Sequence, residues 1–223
     1  MKKNYWLLAA CVGVVVVGGA AAVVFAMSSQ DAPERQVDVD PAVLEEVGPL
    51  QDMVLGEPDA PVTIIEYASL TCPHCAAFHK QVYPEIKSEY IDTGKAKLIF
   101  REFPFDSIAT AGSMLARCAE PKHYFGFIDV MFEQQSEWLS LGSPMEGIQE
   151  IARQGGFSNE QFQECITDTD VLEGIRWIQE RGANEFGVES TPTFFINGVK
   201  VVGARPFEVL QPIIEEQLPE QAQ

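Results

Sequence analysis

Pro61-Val62-Thr63-Ile64-Ile65-Glu66-Tyr67-Ala68-Ser69-Leu70-Thr71-Cys72-Pro73-His74-Cys75 runs from a short apolar stretch straight into two cysteines separated by two residues. The stretch from Pro61 to Ala68, β-rich and bounded by Pro and Ser, reads as a buried strand. From Pro73 the spacing becomes helical, with Phe78, Val82, Ile86 and Tyr90 four residues apart and Asp92-Thr93-Gly94 as the stop. Ala96 to Phe103 reads as a second strand, which makes a strand, helix, strand unit with a right-handed parallel crossover. The first cysteine therefore falls at the junction of a strand and a helix.

Beyond Pro104 the strand signal disappears until about Gly187. Helical periodicity is found over Ser107–Ala119, Tyr124–Trp138, Met145–Gln154, Ser158–Ile166 and Val171–Phe186, and Ser158 with Gln161 fits a capping box. Two β-rich runs, Thr193–Ile196 and Val199–Val202, flank Asn197-Gly198, the strongest short hairpin signal, and Phe207–Gln217 closes with a helix. The order predicts one α/β domain, residues 54–105 and 187–223, interrupted by a helical insert at 106–186. Phe125, Phe127, Met131, Phe132 and Trp138 read as the packed face of an insert helix, and His123 as a surface or capping residue.

At the other end, Lys2 and Lys3 precede an uncharged run from Tyr5 to Met27, long enough to cross a hydrocarbon core of roughly 30 Å at ~1.5 Å per residue. Residues 1–27 are read as an N-terminal membrane anchor, and the basic residues before the run place the rest of the chain outside the cytoplasm. A signal segment cleaved after Val24-Phe25-Ala26 is the alternative, and Leu8-Ala9-Ala10-Cys11 is set aside as a lipoprotein box because the apolar run before it is too short. Residues 28–53 read as an acidic linker with one short helix, starting at Asp40-Pro41 and stopping at Gly48-Pro49.

The chain has 223 residues, 46% hydrophobic and 22% charged, which is the composition of a folded protein. Its formal net charge of -18 argues against a nucleic-acid partner, since phosphate neutralisation needs clustered Lys and Arg. Four cysteines follow the apolar segment, and in an oxidising compartment they allow two disulfides. The short spacing of Cys72 and Cys75 singles out that pair. His74 and His79 lie near it, yet no second Cys or His pair stands at zinc-ligand spacing, so neither a metal nor another cofactor is expected.

A cysteine at a helix start meets orphan backbone N–H groups and the positive end of the helix dipole, both of which stabilise a thiolate. Cys72 is thus the candidate nucleophile. Pro73 suits the first turn because its missing N–H would have gone unpaired there. His74 can add positive charge or a hydrogen bond beside the sulfur. Cys75, one turn on, is the candidate resolving thiol; an inert disulfide is the bland alternative.

With Ser190-Thr191-Pro192-Thr193-Phe194-Phe195-Ile196-Asn197-Gly198 added to the strand and the cysteine motif, the chain resembles the DsbA-like thiol:disulfide interchange proteins of bacterial envelopes. It is most similar to their anchored, single-domain branch, thioredoxin-like family four, over roughly Val54 to Leu218. The resemblance implies a thioredoxin-like fold and a cis Thr191-Pro192 bond facing the cysteines, where the backbone binds a client's extended chain. It also matches Glu66 to the family's buried acid, a proton acceptor for Cys75, since a lone buried carboxylate is costly unless paired or protonated. A solvent-facing Glu66 is the alternative. Cys118 and Cys165 fall on separate insert helices and are expected to pair in an oxidising compartment, the alternative being two buried thiols.

The resemblance implies a thiol:disulfide oxidoreductase that forms disulfides in exported proteins with free cysteines and is recharged by a DsbB-like quinone-linked membrane protein. The alternative is an isomerase or reductase kept reduced by a DsbD-like donor; Thr191 favours it, as many family oxidases carry Val there. The short 28–53 stretch leaves no room for an isomerase's dimerisation domain. A redox-inert chaperone or binding module is the third reading, and the cysteine pair speaks against it.

Overall fold

The computed structural model describes residues 39–219, so the anchor reading of residues 1–27 lies outside the described residues, as do residues 28–38 of the acidic stretch. Strand β2 (Val62–Ala68) is buried at every position. It forms the centre of a five-stranded sheet in the order β1-β3-β2-β4-β5, with β1 at Met53–Leu55, β3 at Ala96–Glu102, β4 at Thr193–Ile196 and β5 at Val199–Val202. β2 and β3 are parallel, with Glu66 opposite Phe100, and the remaining pairings are antiparallel. Because side chains alternate along a strand, Ile64 and Ala68 enter one core with Leu98, Phe100 and Phe194. Ile65 and Tyr67 enter a second with Ile99, Phe195 and Leu44. Asn197 and Gly198 both take positive φ, as a two-residue hairpin turn between β4 and β5 requires.

The fold is the thioredoxin-like α/β arrangement expected, with six helices between β3 and β4. These are α4 (Ser107–Cys118), α5 (Tyr124–Glu133), α6 (Gln135–Ser140), α7 (Pro144–Gln154), α8 (Asn159–Ile166) and α9 (Thr169–Asn184). The capping box forms at Ser158 and Gln161. Phe125, Phe127, Met131, Phe132 and Trp138 are buried, while His123 is exposed in a short turn before α5.

Three elements depart from the expectation. The helix from Pro73 is not continuous: α2 (Pro73–Gln81) gives way at Val82 to α3 (Tyr83–Ile86) and a π-helical turn at Lys87–Ile91. Pro84 has no N–H to offer Lys80, and its ring crowds that carbonyl. The helix from Tyr124 to Trp138 is likewise split at Gln134, and the Trp138 indole donates to the Met131 carbonyl at 2.7 Å.

The third departure is in the acidic stretch. Its helix α1 (Pro41–Leu44) is a single turn capped by Asp40, not one reaching Gly48. From Val39 onward the stretch is packed on the sheet rather than free, and β1, unforeseen, adds an edge strand to β3. Arg101 of β3 donates to the Leu44 carbonyl at 2.6 Å and to Asp52 at 2.8 Å. Arg181 of α9 donates to the carbonyls of Val43 and Glu46, each at 2.8 Å. Leu50 lies so close to α9 that a Cβ on Gly174 would stand 2.3 Å from its Cγ. A closing helix, α10 (Phe207–Glu216), buries Leu210, Ile213 and Ile214.

Candidate active site

β2 ends at Ala68, and the next turn delivers Cys72 to the N-cap of α2, with Pro73 as the first helical residue. The Cys72 N–H donates to the Ser69 carbonyl at 3.0 Å, which fixes the loop. A residue from the insert grips it from the other side: Gln135, buried in α6, donates its amide to the Leu70 carbonyl at 2.8 Å and the Cys72 carbonyl at 2.9 Å. The Thr71 hydroxyl accepts from the Ser69 hydroxyl at 3.2 Å and donates to Asp106 at 2.7 Å, and Asp106 caps α4. Replacing Gln135 with leucine is expected to cost about 1–3 kcal/mol of stability, because it strands the Leu70 carbonyl and leaves the Cys72 carbonyl with the Ala76 N–H alone; chemical denaturation checks this.

The bond between Thr191 and Pro192 is cis, and the Thr191 carbonyl stands 3.4 Å from Cys72 Sγ. The structure thus brings Cys72, Cys75, Thr191 and Pro192 together from opposite ends of the chain. Cys72 is 8% exposed and Cys75 is fully buried.

The two thiols are electrostatically unequal. Cys72 is held at about 5, first by a hydrogen bond from Cys75, which outweighs the cost of its own burial. The backbone N–H groups of Cys75 and His74 lower it further. A neutral Cys72 thiol would donate to the Thr191 carbonyl and keep its proton, but that single weak bond is outnumbered by donors to the thiolate. Cys75 moves far above the ordinary thiol value, chiefly by burial, then by its hydrogen bond to Cys72 and the nearby charge of Glu66. The arrangement holds one proton, on Cys75, and presents Cys72 as a thiolate. The His74 imidazole is exposed.

Glu66 does not face solvent. It is fully buried in β2, and His79 Nε2 lies 3.1 and 3.0 Å from its two carboxyl oxygens. His79 also stacks on Phe132, ring centres 4.3 Å apart. Sequence reasoning weighed His79 only as a metal ligand, although its place four residues after Cys75 puts both on one helix face. Gln135 carried no sequence signal, being 63 residues from the cysteine it supports. Cys118, at the end of α4, and Cys165, in α8, form a disulfide with Cα atoms 5.8 Å apart. Among the described residues no group of His, Cys, Asp and Glu is arranged to hold a metal ion, and no helix is long and apolar enough to cross a membrane.

Comparison with known proteins bears on this site. The family model described as Thioredoxin matches residues 50–216. A "Putative protein-disulfide oxidoreductase" of Rickettsia bellii is 35% identical over 150 residues, covering 67% of this chain and 58% of that protein. One of the same description from Rickettsia felis is 32% identical over 171 residues, covering 76% and 61%. The chain thus spans about three fifths of the length of these curated relatives. The crystal structure of alpha-DsbA1 from Wolbachia pipientis superposes with a TM-score of 0.73 at 33% identity, covering 80% of this chain and 96% of that one.

Proposed function

The chain belongs to the thioredoxin family, among its DsbA-like thiol:disulfide interchange proteins, and from that premise we propose that it is an extracytoplasmic oxidase that passes the Cys72–Cys75 disulfide to exported proteins. The observation that carries the reading is the split between the two thiols, Cys72 lowered to about 5 and Cys75 raised. A stabilised Cys72 thiolate favours the reduced form, and a pair whose reduced form is stabilised is a strong oxidant.

The client's two thiols supply two electrons. One client thiolate bonds to Cys72 Sγ and Cys75 leaves; the second client thiolate then displaces Cys72, so the client gains the disulfide and the pair is left reduced. Thr191 and Pro192 hold the client's extended backbone beside Cys72. A DsbB-like quinone-linked membrane protein is the partner that takes the electrons onward. The Lys2-Lys3 start and the uncharged run to Met27 support an anchor or export signal, and the Cys118–Cys165 disulfide suits an oxidising compartment.

Thr191 favours the second reading, an isomerase or reductase fed by a DsbD-like donor. The reduction potential separates the two. Equilibration with glutathione buffers is expected to place Cys72–Cys75 nearer the approximately −120 mV of the strong oxidant DsbA than the approximately −270 mV of thioredoxin. A value at the thioredoxin end would reverse the direction of electron flow proposed here.

A further inference from the structure

Behind the redox pair, the Glu66–His79 contact leads to a second feature that thiol exchange at Cys72 does not use. A cavity of about 580 Å³ is lined by His79, Tyr83, Lys80, Lys87, Asp129 and Glu133, and its lining includes neither cysteine nor Thr191 nor Pro192. Lys80, Asp129 and Glu133 are exposed while His79 and Tyr83 are buried, so the cavity runs from solvent inward to the imidazole. Two buried polar atoms among the described residues have no hydrogen-bond partner there: His79 Nδ1 and the Tyr83 hydroxyl. Water has a share of liquid volume near ~30 Å³, so a polar cavity this size admits several molecules.

We propose that His79 is a proton-relay residue, moving protons between Glu66 and water in this cavity, so that Cys75 exchanges its proton by a route separate from the client face. The inference rests on the thiol-exchange reading above and adds to it a residue and a path. When a client thiolate attacks Cys72 Sγ, the new sulfur–sulfur bond forms, the bond to Cys75 breaks, and Cys75 leaves with the electron pair as a thiolate. A Cys75 thiolate is disfavoured by burial and by Glu66. The Glu66 carboxylate passes to it, directly or through one water, a proton taken from His79 Nε2, 3.0 Å away, as Nδ1 takes a proton from cavity water. One proton enters, and the imidazole ends neutral with its tautomer exchanged. Reoxidation runs the same path outward.

The titratable groups around the imidazole are Glu66 from β2, which it contacts, and, lining the same cavity, Tyr83 from α3, Lys80 from its own helix, Lys87 from the π turn, and Asp129 and Glu133 from α5; Cys75 lies one turn earlier on its helix. Asp129, although exposed as a residue, is held above the usual carboxylate range chiefly by loss of solvent around its carboxyl, with Lys87 working against it. With Lys80 and Lys87 beside Asp129 and Glu133, the mouth is polar and suited to hold water.

His79→Gln tests the relay, because a glutamine amide can still donate to Glu66 yet cannot pass a proton through. Reduction of the oxidised full chain by a peptide dithiol, quenched with an alkylating agent between about pH 5 and about pH 9, reads the step at Cys75. The variant is expected to be slower by roughly 10- to 100-fold and to lose a limb of the pH profile, within the range that positioned acid–base groups supply. Alkylation of reduced Cys72 should be unchanged. His79→Ala should be accelerated by added imidazole, which the cavity admits. A His79→Gln profile matching the unchanged chain, or a slow His79→Ala that imidazole does not accelerate, overturns the relay. Absence of exchange in the unchanged chain would instead overturn the oxidoreductase reading beneath it.

Discussion

Serine in place of Cys72 is expected to abolish exchange with any client, whereas serine in place of Cys75 is expected to halt the reverse reaction, attack of reduced Cys72 on a client disulfide, as a covalent adduct between the client and Cys72. The difference follows from position. Cys72 Sγ stands at the N-cap of α2 and against the Thr191 carbonyl, the edge proposed to take a client backbone, while Cys75 is fully buried. A hydroxyl at Cys72 can neither form nor accept a sulfur–sulfur bond. Without Cys75 the Cys72 thiolate still opens a client disulfide, one client sulfur bonding to Cys72 as the other leaves as a thiolate, but no neighbouring thiol is present to release the adduct. Non-reducing electrophoresis after incubation of each reduced variant with a disulfide-bonded client separates the outcomes, and a Cys72→Ser variant that still exchanged with its client would remove Cys72 from the site.

The same asymmetry sets a pH dependence. The folded thiol titrates at about 5, against ~8.5 when unfolded. A depressed folded value contributes stability to the reduced form in full above the unfolded pKa, and this contribution is lost as pH falls through the folded one. Cys75 has the opposite sign: its raised value weighs against the reduced form once an unfolded thiol would ionise, above ~8.5. The stabilisation of the reduced over the oxidised form is therefore expected to grow from about pH 5 and to peak near pH 8.5. Thermal melts of both redox forms across that window check it. Cys72 alkylation should hold its rate down to about pH 6 and fall below it; a midpoint near ~8.5 would show an ordinary thiol.

What could be read from sequence was what is local. β2 declares itself as an unbroken apolar run because both its faces are covered, Ser158 and Gln161 cap their own helix, and Asn197-Gly198 makes its own turn. β1 could not be read this way: three residues, one face exposed at Val54, show no period, and only pairing with Leu98–Phe100 makes them a strand. The acidic stretch misled for a related reason. Its composition is that of a linker, but Leu44 and Leu50 are apolar anchors and Arg101 and Arg181 reach in from distant elements to hold its carbonyls. At the site, Glu66 stood out as a charge in a buried strand, yet its partner was hidden. His79 becomes visible only when α2 is laid against β2.

The costliest change away from the cysteines is expected at Arg117. Its guanidinium, buried in α4, donates to Glu102 through Nε at 2.5 Å and Nη2 at 2.7 Å, and to the Gln51 carbonyl at 2.6 Å. Glu102, fully buried at the end of β3, also accepts from the Tyr124 hydroxyl at 2.6 Å. Arg117→Leu leaves that carboxylate with Tyr124 alone, and an uncompensated buried charge of this kind costs about 3–5 kcal/mol. In a domain of this size the melting temperature should fall by roughly 10 °C. The loss belongs to the stranded charge rather than to the salt bridge as such, so Arg117→Leu combined with Glu102→Leu should recover most of it. A double variant no more stable than the single one would show that Arg117 works through packing instead. The triad ties α4 and α5 of the insert to the sheet. Glu102 is in register with Ala68, which accepts the Phe103 N–H at 2.7 Å one residue before the turn that carries Ser69 and Cys72. Its removal should therefore lower the melting temperature while leaving the alkylation midpoint of Cys72 in place, because none of the donors that hold that thiolate comes from the triad.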